Sequence, residues 1–148
     1  AAALVQEARR RGGPAITAQV LAYPATDRFD DSPSMREHVE GPVISRAWLE
    51  WFWGAYLGTP DQGADPRVSP ARAADLTGLP RATIVTAELD PLRDQGARYA
   101  RLLDEAGVPV EHLSVAGATH AFLSFTGKVQ LSRDILDRLA AEVRSAFG

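Results

Sequence analysis

The chain predicts an α/β fold, a mainly parallel sheet of about three strands flanked by helices, on three observations. Apolar runs rich in branched residues recur at 15–23, 82–88 and 108–115. A segment of helical periodicity separates the second run from the third, and another closes the chain. Strands that alternate with helices form parallel sheets through crossover connections. With 148 residues, the chain fits one domain able to bury its own core.

Each element follows from local signals. AAALVQEARRR reads as a helix that ends on cationic residues and Gly12-Gly13, a C-terminal signature. No capping residue precedes it, so the chain reads as entering in mid-element. AITAQVLAY (15–23) has the length and composition of a strand buried on both faces, and Pro24 stops it. Residues 24–44 are polar and proline-rich and read as an excursion of the kind that forms lids, with the whole lid-like insertion running over about 24–58. Within it Ser45 is an N-cap, and Trp48, Phe52 and Tyr56 fall on one helical face, expected to be core. Residues 58–81 are turn-rich, with one short helical turn. ATIVTAE (82–88) reads as a second buried strand. Asp90 can cap the next helix, with Pro91 at its first position. Leu92, Gln95, Tyr99, Leu102, Leu103 and Ala106 mark its inner face and Gly107 its end. VPVEHLSV (108–115) alternates like a strand nearer a sheet edge. A closing helix from about 127 places Ile135, Leu139, Val143 and Phe147 on one stripe.

Composition narrows the function. A net charge of −3 with mixed signs and no basic stripe argues against nucleic acid as a partner. There is no cysteine, which excludes disulfides, thiolate metal sites and a cysteine nucleophile. No apolar run approaches the ~20 residues that span a bilayer. The charges of the first segment follow its apolar part, the reverse of a secretion signal, so a cytoplasmic location is expected. No phosphate loop or metal-ligand spacing is present, and no cofactor or metal is expected.

In parallel sheets, ligands gather beyond the carboxyl ends of the strands. Asp90 follows the second strand and His120, in GATHAFLSF (117–125), follows the third. A carboxylate that holds one imidazole nitrogen leaves the other free as a general base. Taken alone, Asp90 reads more readily as a helix cap, and His120 as a loop histidine. Asp94 reads as a charge at the helix N-terminus rather than a second acid. His112 and His38 read as structural or solvated. None of the eight serines, Ser69 included, stands in a Gly-x-Ser-x-Gly context.

The run LPRATIVTAELDPLRDQGARYARLLDEAGVPVEHLSVAGATHAF resembles the C-terminal part of the hormone-sensitive-lipase-like, or fold-3, esterases of the α/β-hydrolase class. LAYPATD, WFWGAYLG and DPRVSPARAADLTGLP resemble that family's middle region in the same order. The resemblance implies a partial α/β-hydrolase fold and hydrolysis of a carboxylic ester, with Asp90 as triad acid and His120 as triad base. It makes Val43 and Trp51 candidates for a substrate-facing wall. Phe122 and Leu123 are candidates for the pocket lining, with packing as their first expected role. Ala121 stands where the family usually has glycine. The family's His-Gly-Gly and Gly-Asp-Ser-Ala-Gly motifs do not occur. The resemblance puts the serine only about two helical turns (~11 Å) before Ala1.

Two further expectations follow, and two readings from other classes stand beside them. The chain by itself should be nearly inactive on its small-molecule ester substrate. The edge of the strand at 15–23 should recruit a second copy or a complementary N-terminal half. The readings from other classes are a non-catalytic binding or scaffold remnant, and a receiver-like domain with Asp90 as phospho-acceptor, which the lack of an acidic cluster on the first strand disfavours.

Overall fold

The computed structural model describes residues 1–146, so Phe147 lies outside the described residues. The elements in chain order are α1 (Ala2–Arg10), β1 (Ala18–Ala22), α2 (Pro33–Glu37), α3 (Arg46–Tyr56), β2 (Arg81–Leu89), α4 (Arg93–Glu105), β3 (Val110–Thr119) and α5 (Gln130–Ala146). The strands form one parallel sheet in the order β1-β2-β3.

Both well-defined helix ends close as the sequence predicts. After α1, Gly12 takes a φ of +59°, its N–H donates to the Arg9 carbonyl and the Gly13 N–H to the Ala8 carbonyl. After α4, Gly107 takes a φ of +77°, with the Val108 N–H donating to the Leu103 carbonyl. These paired bonds satisfy the last carbonyls of each helix, and only a residue without Cβ turns left-handed there at low cost.

Successive residues of β2 point to opposite faces. Ile84 joins Leu21, Tyr99 and Leu103 in a core under α1 and α4. Its neighbour Val85 joins Leu113, Val115, Phe122 and Leu139 in a core under α5. β2 is therefore buried from Ala82 to Ala87, as its unbroken apolar run predicts. α4 packs close to the sheet because position 96 is glycine: a Cβ there would meet Thr86 Cγ2 at 2.8 Å.

The structure corrects several expectations. β1 is five residues rather than nine, and its faces are half-buried by alternation. Its first rung pairs Ala18 with Arg81. β2 begins at that arginine, directly after Pro80, so residues 15–17 have no partner strand. The excursion is not structureless, since α2 lies inside it. Residues 58–81 hold two 3₁₀ turns, Pro60–Ala64 and Pro70–Arg72. α4 starts at Arg93, not at Pro91, because the Asp90 carboxylate accepts the Leu92 N–H and closes a turn before the helix. β3 runs four residues past 115. Val143 of the closing stripe is exposed.

The largest correction concerns α3. Ser45 does cap it, accepting the Trp48 N–H at 3.2 Å. Its aromatic face is not core: Trp48, Trp51 and Tyr56 are each more than 60% exposed, and Leu49 is the residue it buries. Leu49 packs with Met35 and Leu92 in a small separate cluster, with Ile44 and Trp53 against it. Periodicity finds a helix face but not what covers it.

Candidate active site

The register of the sheet brings Asp90 and His120 together. Ala87 pairs with Val115, and Leu89 pairs with Thr119. Over that interval β2 advances two residues and β3 four, so β3 carries a bulge with two extra residues. Gly117, at φ +69°, sits inside it, and its N–H donates to Glu88 Oε2 at 2.6 Å. Bulges re-aim side chains and occur beside functional sites. Here the next residues after the Leu89–Thr119 rung are Asp90 and His120.

His120 Nδ1 lies 2.9 Å from Asp90 Oδ2. A carboxylate only accepts, so Nδ1–H donates. Asp90 is fully buried, and its other oxygen accepts the Leu92 N–H at 2.8 Å. The imidazole keeps some exposure, and among the described residues no group bonds its Nε2. The Tyr23 ring lies against it, centroids 4.9 Å apart, and meets Phe122 edge-on at 5.9 Å. Burial, with the Asp90 charge adding to it, raises the Tyr23 hydroxyl above its usual range. Tyr23 and Ala121 have positive φ, +40° and +59°, and are the two non-glycine residues that do so among the described residues. Both flank the histidine, consistent with the clustering of backbone strain at functional sites.

A cavity of about 430 Å³ opens at this pair, lined by His120, Tyr23, Ala25, Leu92 and, from the insertion, Ile44, Leu49, Phe52, Trp53 and Tyr56. Val43 and Trp51 do not line it; both are exposed, and their neighbours Ile44 and Phe52 take that place. Phe122 is buried and Leu123 half-buried in the α5-side core, so both pack rather than line the cavity. A larger groove of about 560 Å³ lies beside α1. Its arginines are engaged with Glu7, Asp65 and Asp75, and it is remote from the Asp90–His120 pair.

A second set of residues near the pair is not singled out by sequence reasoning. Gln95 Oε1 accepts the N–H groups of Thr26 and Asp27 at 2.7 and 3.1 Å, and the Thr26 hydroxyl donates to the Gln95 carbonyl. Asp27 is buried and paired with Arg72 at 2.6 Å and Arg98 at 2.9 Å. Burial pushes its carboxyl upward, but the two guanidiniums and the Phe29 N–H outweigh that and hold it below the ordinary range. LAYPATD and DPLRDQG thus interlock, and the polar letters inside both runs were the available signal. Asp94 does sit at a helix N-terminus, where it also binds Ser34. His112 bonds Thr86 at 2.9 Å.

A parallel sheet with helices on both faces, and a carboxylate–imidazole pair beyond the ends of adjacent strands, define an α/β-hydrolase arrangement. Residues 1–124 match the family described as alpha/beta hydrolase fold. The chain belongs to that family, in its hormone-sensitive-lipase-like branch. It is 37% identical over 139 residues to Esterase LipI of Mycobacterium tuberculosis, covering 93% of this chain and 43% of that protein. It is also 37% identical over 150 residues to Carboxylesterase NlhH of the same species, covering 99% of this chain and 47% of the other. The crystal structure of EstE1, a thermostable carboxylesterase cloned from a metagenomic library, superposes with a TM-score of 0.95 at 35% identity, over 100% of this chain and 51% of that one. The chain therefore spans less than half the length of LipI and NlhH and about half that of EstE1. Among the described residues no helix is long and apolar enough to cross a membrane.

Proposed function

We propose that this chain supplies the acid and the base of a serine-type triad for hydrolysis of carboxylic esters with short or medium acyl chains. The observation that carries the reading is the 2.9 Å approach of His120 Nδ1 to a fully buried Asp90 at the mouth of an apolar cavity. In this mechanism Asp90 holds the ring and stabilises its charged form. His120 Nε2 takes the proton of a serine hydroxyl as it attacks the ester carbonyl, and then gives it to the leaving alcohol. The cavity wall from α3 and Tyr23 receives the apolar part of the ester. Support comes from the names of the relatives, which are esterases and carboxylesterases.

Neither the nucleophile motif nor the oxyanion motif occurs in these 148 residues, so both are assigned to another polypeptide segment. Loss of a triad serine costs on the order of 10⁶ in rate in subtilisin. The chain alone is accordingly expected to be nearly inert on a nitrophenyl ester. Joined to a segment that carries both motifs, the chain is expected to turn the ester over, with activity abolished by His120→Ala. His120-dependent turnover by residues 1–148 alone would overturn the division of labour. Absence of turnover in both would favour a non-catalytic remnant. We also propose a cytoplasmic location, and a pairing of the edge of β1, which among the described residues has no strand on its outer side, with a second copy or the complementary half. A strictly monomeric chain at high concentration in light scattering would contradict the first of these partners.

A further inference from the structure

Building on the triad reading, we propose that Ser34 and Asp94 are positioning residues, and that α2 braces the turn that carries Asp90. Ser34 is fully buried. Its hydroxyl donates to the Pro91 carbonyl at 2.8 Å and accepts the Asp94 N–H at 3.1 Å. Its own N–H donates to Asp94 Oδ2 at 2.8 Å. One side chain therefore grips both ends of the segment 91–94. That segment carries the Leu92 N–H, which fixes the second oxygen of Asp90.

The grip is reinforced around its rim. Arg93 donates through Nε to Asp94 Oδ1 at 2.8 Å, through Nη2 to Glu37 Oε2 at 2.9 Å and through Nη1 to the Glu88 carbonyl at 3.2 Å. Glu37 ends α2, and Glu88 is the residue whose carboxylate also holds the bulge at Gly117. Beneath the polar contacts, Met35 of α2 packs on Leu92 in their shared apolar cluster. Polar and apolar contacts thus converge on the same four residues. The direction of the Leu92 N–H sets the direction of the Asp90 carboxylate, and with it the angle at which the carboxylate meets the imidazole. Without the Ser34 hydroxyl, a buried carbonyl and a half-buried N–H on either side of Leu92 lose their partner, a loss that loosens the turn locally.

A merely structural tether makes a different prediction, and NMR of the 148-residue chain separates the two. The readouts are the low-field His120 Nδ1–H resonance, its exchange with water, and the ring ¹⁵N shifts that report the tautomer. Ser34→Ala is expected to speed exchange of this proton about tenfold, in line with loss of one buried hydrogen bond. Asp94→Ala is expected to do the same. Asp94→Asn keeps an acceptor for the Ser34 N–H and should stay closer to the parent. Ser69→Ala is the matched control, since that hydroxyl is also fully buried and also makes two bonds, to the Gly63 carbonyl and the Arg28 N–H, away from the Asp90 turn. It should lower the melting temperature and leave the resonance unchanged. If Ser34→Ala and Asp94→Ala lower stability but leave the proton as it is in Ser69→Ala, the brace is overturned. Should Ser34→Ala not fold, the two Asp94 variants decide alone. Asp90→Asn isolates the underlying reading: if that change leaves the His120 signals untouched, the pair itself is wrong, whatever the Ser34 result.

Discussion

The acid and the base of the pair are held by different physical means. Asp90 sits in a turn where its carboxylate is bonded by Leu92 and His120, and the peptide groups that follow it by Ser34. His120 sits in a loop where one hydrogen bond, an aromatic neighbour and a left-handed alanine do the same task. The acid side is saturated and buried. The base side is partly exposed, carries backbone strain and leaves one ring nitrogen without a partner among the described residues. An acid that only orients can be fixed permanently, whereas a base must keep one atom open for a proton.

The contrast can be broken by stability measurements. Asp90→Ala leaves a buried N–H and an imidazole without their acceptor, and is expected to cost about 3 kcal/mol in urea unfolding. His120→Ala removes a partly exposed ring and is expected to cost about 1 kcal/mol. Equal costs would erase the difference between the two sides. Next in size is Asp27→Asn, which weakens the pairing that ties LAYPATD to α4 and should cost about 2 kcal/mol at neutral pH. Because the carboxyl is held below its ordinary 3.8 in the folded chain, its contribution is complete above that value and fades as pH drops through the lower folded one. The gap between variant and parent, followed by acid titration of unfolding, should therefore close at acid pH and persist at neutral pH. The smallest effect is on the base side. Ala121→Gly relieves the left-handed strain and should raise stability by about 0.5–1 kcal/mol. A decrease would mean that the methyl group contributes packing that outweighs the strain.

Much of this site is legible from the sequence, for identifiable reasons. Asp90 and His120 each follow an apolar run, and the end of a strand in a parallel sheet is a predictable place. α1 and α4 carry their own stop signals and β2 an unbroken apolar run, so their existence depends on local chemistry. What local chemistry cannot supply is partnership. The length of β1 is decided by where β2 begins, across more than sixty positions. The aromatic face of α3 looks like core because its spacing is helical, yet Leu49 on another face is what meets Met35 and Leu92. Ser34 is one of eight serines, and nothing in SPSMRE marks it out until the Asp90 turn lies against it. Asp94 illustrates the same limit from the other side: its place at a helix start is read correctly, but a second duty as acceptor for Ser34 is a tertiary fact.

The bulge at 116–118 of β3, opposite the step from Ala87 to Leu89 on β2, uses two residues for direction rather than for distance. A strand advances about 3.3 Å per residue. The two extra residues add no such advance, so excising two from 116–118 would restore a straight ladder with every side chain of the pair intact, and would remove the Gly117–Glu88 contact and the kink that leads into His120. Length changes at 116–118 are therefore expected to turn the imidazole relative to its acid rather than to carry it along the sheet.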